Sequence, residues 1–260
     1  MNNMIKIGRS SLLIFGVLLF LDRQDVRADT VNIAVATNFI DTAKELARIF
    51  RDKTGHEVIL SFGASGQLYA QIKNGAPFQV FLSADEQWPR KLVQEDLGVA
   101  GEEFTYAIGK LVLWTSKPGI IINEETLKKG DFSKIAIANP TIAPYGGAAV
   151  EVMKALNVYA TLQAKIVQGN TIAQTFQFVK TENAEYGFIA LSQLSNLKVG
   201  SSWIIPEKYY REIRQDAVLL KSGEQNNGPK EFMAFLKGSI AQSIIQKFGY
   251  GTHTLTGRNE

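Results

Sequence analysis

Past its first 28 residues the chain alternates short β-branched runs with amphipathic helical stretches. That alternation restricts it to sheets of mainly parallel strands covered by helices on both faces. Residues 31–35 form a first strand, and residues 40–53 place Ile40, Ala43, Leu46, Ala47 and Phe50 on one helical face before Gly55 stops them. Val58, Leu60 and Phe62 alternate as a second strand. Residues 67–73 predict a short helix, 80–82 a third strand, and 87–95 a third helix with Asp85 as its cap. Residues 111–115 then lead away to a second series: a strand at 135–138, helices at 147–156 and 172–180, and a strand at 187–191. A strand at 217–220 returns, and helices at 229–238 and 240–248 close the chain. Two series joined by two extended passages predict two α/β lobes, one of residues 29–112 with 217–260 and the other of residues 113–216.

The first 28 residues read as an export leader rather than as part of the fold. Lys6 and Arg9 give a charged start, residues 12–21 an uncharged apolar run, and Val26-Arg27-Ala28 a peptidase site. A run of ten residues is too short to span a bilayer, which takes about 20. Four of the 28 basic and two of the 25 acidic residues lie in the leader, so the remainder carries a net charge of only +1. No basic face is left for nucleic acid. The chain has no cysteine, which excludes disulfides, thiolate metal sites, a cysteine nucleophile and lipidation at an N-terminal cysteine. A leader without a lipidation site predicts a free periplasmic protein.

The chemistry-bearing residues gather where strands give way to helices. Thr37-Asn38, Gly63-Ala64-Ser65-Gly66, residues 139–147 and Gly169-Asn170-Thr171 all put small, hydroxyl or amide residues at a helix start. Ligands of open α/β sheets sit beyond the carboxyl ends of the strands. Helix N-termini offer unpaired N–H groups and a partial positive charge there. Several such ends together hold an anion without Lys or Arg. Ser, Thr and Asn are equally the ordinary N-caps of helices, so each junction taken alone is explained by structure.

The wording of these junctions resembles a known family. Ala36-Thr37-Asn38-Phe39, residues 61–68 (Ser-Phe-Gly-Ala-Ser-Gly-Gln-Leu), residues 71–85 with Gly75-Ala76-Pro77 running into Phe81-Leu82-Ser83-Ala84-Asp85, and Ala138-Asn139-Pro140 through Tyr145-Gly146 resemble the periplasmic molybdate-binding proteins. Those are the substrate-binding components of molybdate ABC transporters. The resemblance covers essentially the whole chain after the leader. It implies a two-lobe, type II Venus-flytrap fold that closes on a dehydrated tetrahedral dianion, molybdate or tungstate, performs no catalysis, needs no cofactor, acts as a monomer and docks on an inner-membrane permease. Carried over by motif, Asn38 and Ser65, with Thr37 beside them, would be the first-lobe contacts. Tyr145 and the backbone N–H of Ile172 would be those of the second lobe. The sequence departs from the family at Asn38, where many members have Ser, and at Ala190, where many have Tyr. Tyr145 is the residue able to supply the phenol missing at Ala190.

Other chemistries have less material. Gly63-Ala64-Ser65-Gly66 does not meet G-x-S-x-G, and His56 and His253 have no partner nearby in sequence. His56-Glu57 lacks the second histidine of a zinc helix. Asp85 and Glu86 read as helix-start residues. Tyr209-Tyr210 reads as a surface or lobe-edge pair and keeps ferric iron open as an alternative ligand, beside another oxyanion on the same fold. An exported enzyme on the same fold would need a general base or nucleophile pair, such as a carboxylate buried in the cleft. Residues 120–122 and 218–220 read as core or crossover strand.

Overall fold

The computed structural model describes residues 28–197 and 199–252, so the expected leader, apart from Ala28, and His253 lie outside the described residues. The first lobe opens with β1 (Thr30–Ala36), α1 (Ile40–Thr54), β2 (Glu57–Gly63), α2 (Ser65–Lys73), β3 (Val80–Leu82), α3 (Gln87–Gln94) and β4 (Gly98–Gly109). The second lobe holds β5 (Leu111–Thr115), α4 (Glu124–Lys129), β6 (Ile135–Ala138), α5 (Pro144–Ala155), α6 (Tyr159–Leu162), β7 (Ile166–Gly169), α7 (Ile172–Lys180), β8 (Tyr186–Ala190) and β9 (Ser201–Ile204). The chain then returns through β10 (Ile213–Leu220) to α8 (Asn227–Lys237) and α9 (Ser239–Lys247).

Each lobe is built on one five-stranded sheet, ordered β2-β1-β3-β10-β4 in the first and β7-β6-β8-β5-β9 in the second. In each sheet four strands run one way and one runs against them: β10 pairs antiparallel with β3 and β4, and β5 with β8 and β9. The two reversed strands are the ones that enter a lobe from the other. The pairing also corrects the expected lobe limits by a few residues. Leu111 pairs with Ala190 in the second sheet and Ile213 with Gly109 in the first, so the crossings fall near Lys110 and Glu212.

Helices cover both faces of each sheet because each helix carries one apolar stripe. In the first lobe Leu46 and Phe50 of α1, Phe232 and Leu236 of α8 and Ile245 of α9 pack on one face of the sheet, and Leu68 of α2 and Leu92 of α3 on the other. In the second, Val152 and Met153 of α5 oppose Leu113 and Phe188 on one face, while Val179 of α7 packs with Trp114 and Ile189 on the other. Gly55 ends α1 in the left-handed conformation (φ 77°), its N–H bonded to the Arg51 carbonyl.

The strands absent from the sequence reading, β4, β7 and β9, all lie at sheet edges. The outer half of β4 is part-exposed and carries Glu102 and Glu103, a charge pattern that blunts an edge and hides the strand from an apolar count. Residues 120–122, read as core or crossover strand, form a loop that buries Ile122 in the core and leaves Ile121 86% exposed.

Candidate functional site

Residues at or just beyond the carboxyl ends of β1, β2, β3, β6 and β7 come from both lobes to line one cavity. β1 delivers Thr37 and Asn38 on a single 3-10 turn ahead of α1. β2 delivers Ser65 as the first residue of α2. In the second lobe the loop after β6 delivers Tyr145 just inside α5, with Pro144 at the helix start where its missing N–H costs nothing. The turn after β7 delivers Ile172 as the first residue of α7, behind Thr171, whose hydroxyl accepts the N–H of Gln174 (3.1 Å).

All five sequence-predicted residues, Thr37, Asn38, Ser65, Tyr145 and Ile172, border one small cavity of ≈ 10 Å³, about the space of one water-sized sphere. Ala36, Gly63, Ala64, Ala84, Ala143 and Pro144 complete its wall. No Lys, Arg, His, Asp or Glu lies on that wall. Thr37 is 8% exposed and the other four 3% or less. Ala190, where the family pattern suggests a Tyr, ends β8 paired with Leu111 and does not border the cavity.

The hydroxyls here are arranged as donors. Ser65 is not a cap: Ala64 holds that position, and Ser65 Oγ accepts the N–H of Ala84 (2.9 Å). Tyr145 Oη accepts from Gln215 Nε2 (3.2 Å). Among the described residues nothing takes the proton of either hydroxyl, so each has one to offer the cavity. Burial pushes the Tyr145 phenol well above its ordinary range and keeps it protonated. Ile172, as the first residue of its helix, has a backbone N–H without an intrahelical acceptor. Asn38 differs from expectation. Its amide hydrogens go to Gln215 Oε1 (2.8 Å) and Tyr250 Oη (3.0 Å), so its side chain braces the wall.

The lobes touch on both sides of the cavity. The N–H of Gly66 donates to the carbonyl of Ile142 in the second lobe (2.9 Å), and Ser192 Oγ donates to the carbonyl of Asn38 in the first (2.9 Å). Gly66 is a glycine for reasons of space: a Cβ there would stand 3.0 Å from Ile142 Cβ and 3.1 Å from its Cα. Neither Gly66 nor Ser192 was singled out as a contact by sequence reasoning. Gly66 had a signal in the Gly-Ala-Ser-Gly word, whereas Ser192 and Gln215 had none.

Charged groups stay outside. A cleft of ≈ 410 Å³ beside the cavity is lined by Asp85, Glu86, Glu151, Arg211 and Arg214 among others. Asp85 is the part-buried carboxylate that an enzyme reading would require, and burial raises its pKa to about 6. Its Oδ1 accepts from Ser83 Oγ (3.0 Å) and from the N–H of Trp88 (3.2 Å), so it ties down the first turn of α3 from one residue before the cap position, which Glu86 and not the expected Asp85 holds. His56 is fully buried and structural: Nδ1 accepts the N–H of Asp29 (2.9 Å), Nε2 lies 3.2 Å from Glu231, and the ring stacks on Phe50. Tyr209 bonds Glu124, and Tyr210 Oη accepts the N–H of Leu111 (3.2 Å), so the pair stands at the crossing and not at the cavity. Among the described residues no group of three or more His, Cys, Asp or Glu is placed to hold a metal ion.

A family model described as bacterial extracellular solute-binding protein matches residues 31–251. The chain is 49% identical over 225 residues to the molybdate-binding protein ModA of Rhodobacter capsulatus, covering 86% of this chain and 89% of the relative. It is 48% identical over 229 residues to ModA of Azotobacter vinelandii, covering 86% and 91%. The solved Azotobacter vinelandii periplasmic molybdate-binding protein superposes with a TM-score of 0.83 at 42% identity, over 86% of this chain and all of that one. With the two-lobe architecture and the cleft at the strand ends, these matches establish that the chain belongs to the bacterial extracellular solute-binding protein family, in the group that includes these two molybdate-binding relatives.

Proposed function

We propose that the protein is a periplasmic carrier that binds molybdate, and tungstate with it, and hands the ion to an inner-membrane ABC permease. The observation that carries this reading is the cavity at the meeting of the lobes, walled by neutral donors and free of charged side chains. An ion stripped of water loses a large solvation energy, and only short charge-assisted hydrogen bonds make that up. Ser65, Tyr145 and Thr37 would donate hydroxyl protons, with backbone N–H groups of Asn38 and Ile172 beside them. A wall of donors has nothing to accept a proton from the ligand, so it favours a fully deprotonated dianion over a protonated phosphate. Molybdate and sulfate share charge and shape, so cavity size would separate them. Two relatives named as molybdate-binding proteins, at 49% and 48% identity, support the same ion.

The carrier would act as a monomer without a cofactor or catalysis, and export would follow from the leader. No described helix is long and apolar enough to cross a membrane. Isothermal titration with molybdate, tungstate and sulfate tests the reading. Tight binding of the first two and much weaker binding of sulfate is expected. Sulfate bound as tightly as molybdate would overturn the selectivity, and no binding of any of the three would overturn the function.

A further inference from the structure

Behind the cavity wall lies a polar side chain that the five wall residues do not explain. Gln215 sits on β10, one of the two reversed strands, and is fully buried. Its carboxamide oxygen accepts from Asn38 Nδ2 (2.8 Å) and from the Tyr106 hydroxyl (3.2 Å). Its amide nitrogen donates to the Tyr145 hydroxyl (3.2 Å). One side chain therefore joins a wall residue of each lobe. Gly109, at the other crossing, leaves room for this junction: a Cβ there would overlap the Tyr145 hydroxyl and come within 2.8 Å of Gln215 Nε2.

The junction has a direction. A phenol has one proton, and the Tyr145 oxygen already receives one from Gln215. The Tyr145 proton is then left for the cavity that its hydroxyl borders. A glutamine has one donor end and one acceptor end. Its oxygen is taken up by Asn38 and Tyr106, so the end that faces Tyr145 is the donor end and cannot take the phenol's proton. A glutamate at the same place would accept from both and take the Tyr145 proton away from a ligand.

We propose that Gln215 is a positioning residue for anion binding: it engages Asn38 and Tyr145 at opposite ends of its carboxamide, so that the Tyr145 proton is turned to the ligand. The proposal rests on the oxoanion reading above. Burial of the phenol supports it, because a phenol held neutral keeps the proton to be aimed.

Calorimetric titration with sodium molybdate tests it on the whole protein, its Gln215→Leu, Tyr145→Phe and Gln215→Glu variants, and the Gln215→Leu/Tyr145→Phe pair. Gln215→Leu and Tyr145→Phe should each weaken binding about 10-fold. If Gln215 acts through Tyr145, the pair should bind no more weakly than Tyr145→Phe alone. Gln215→Glu should bind about 100-fold more weakly near pH 8 and recover most of that as the pH is lowered to about 6, where a buried glutamate takes up its proton. The unaltered protein should stay flat over that range. Additive losses in the pair, or a Gln215→Glu deficit indifferent to pH, would overturn the role. Thermal melting without ligand reports folding, and if Gln215→Leu does not fold, the pH profile of Gln215→Glu decides alone. An unaltered protein that ignores molybdate strikes the oxoanion reading itself, whereas a binding protein with additive losses strikes only Gln215.

Discussion

The cavity and the cleft beside it lie side by side between the same two lobes and are built from opposite materials. The cavity wall is neutral and almost fully buried, and its Ser65 and Tyr145 hydroxyls are already tied to N–H groups from behind. The neighbouring cleft carries full charges, half-buried or exposed: Arg211 pairs with Glu151, Arg214 with Glu86, and Asp85 accepts from Ser83 and the N–H of Trp88. Fixed neutral dipoles can be taken out of water at modest cost and still stabilise a bare charge, while burying full charges of the protein's own would carry a far larger penalty. A buried Arg would also bind any anion. A set of aimed donors asks in addition for the right size and protonation state.

Three substitutions would break or sharpen that contrast. The largest effect is expected at Gly66, where closure itself is at stake. Gly66→Leu would drive a side chain into Ile142 and hold the lobes apart, costing about 3 kcal/mol in molybdate affinity, with little change in the melting temperature of the unliganded protein. Small-angle scattering should show a more extended particle. An unchanged affinity would mean that the lobes need not meet there.

Next comes Ser65→Ala. The loss of one charge-assisted bond predicts about 2 kcal/mol of affinity by titration calorimetry, and the bereft N–H of Ala84 about 1 kcal/mol of stability in denaturant unfolding. Wild-type affinity would remove Ser65 from the wall's working parts.

The smallest effect belongs to the charged side. Burial lifts the Asp85 carboxyl from 3.8 to about 6 in the folded chain. The folded protein therefore holds this proton where the unfolded chain has lost it. The contribution is intact below about pH 4 and fades as the pH rises through about 6. Asp85→Asn should raise stability by about 1 kcal/mol at pH 7 and by nothing at pH 4, read as the difference between two urea melts. An equal gain at both values would show that charge is not the cause.

Much of this arrangement was legible in the sequence, for reasons that vary with the residue. Ile40, Ala43, Leu46 and Phe50 announce α1 because a helix with one buried face must repeat its apolar positions. Thr37, Asn38, Ser65, Tyr145 and Ile172 could be singled out because they sit at strand-to-helix junctions whose wording matches a family, and the structure brings all five to one cavity. What stayed hidden depends on distance along the chain. Gln215 lies 177 residues from Asn38 and 70 from Tyr145, and no local pattern marks a glutamine in the middle of a strand as the partner of either. His56 is the same case, its partner Glu231 being 175 residues away. β4, β7 and β9 stayed hidden because edge strands pack on fewer neighbours and need no clean alternation. The side-chain direction of Asn38 also stayed hidden, because spacing places a residue at a junction without saying which way its amide is committed.

The two reversed strands have a mechanical consequence. Because β5 and β10 are each hydrogen-bonded on both sides within their sheets, both tethers between the lobes are anchored in rigid material rather than in loose chain. A pair of stiff struts bends readily about one axis and resists torsion about the others. Lobes on such a joint would swing along a single track, each bite would bring the same teeth into the same notches, and the fidelity of capture would be inherited from the stiffness of the joint.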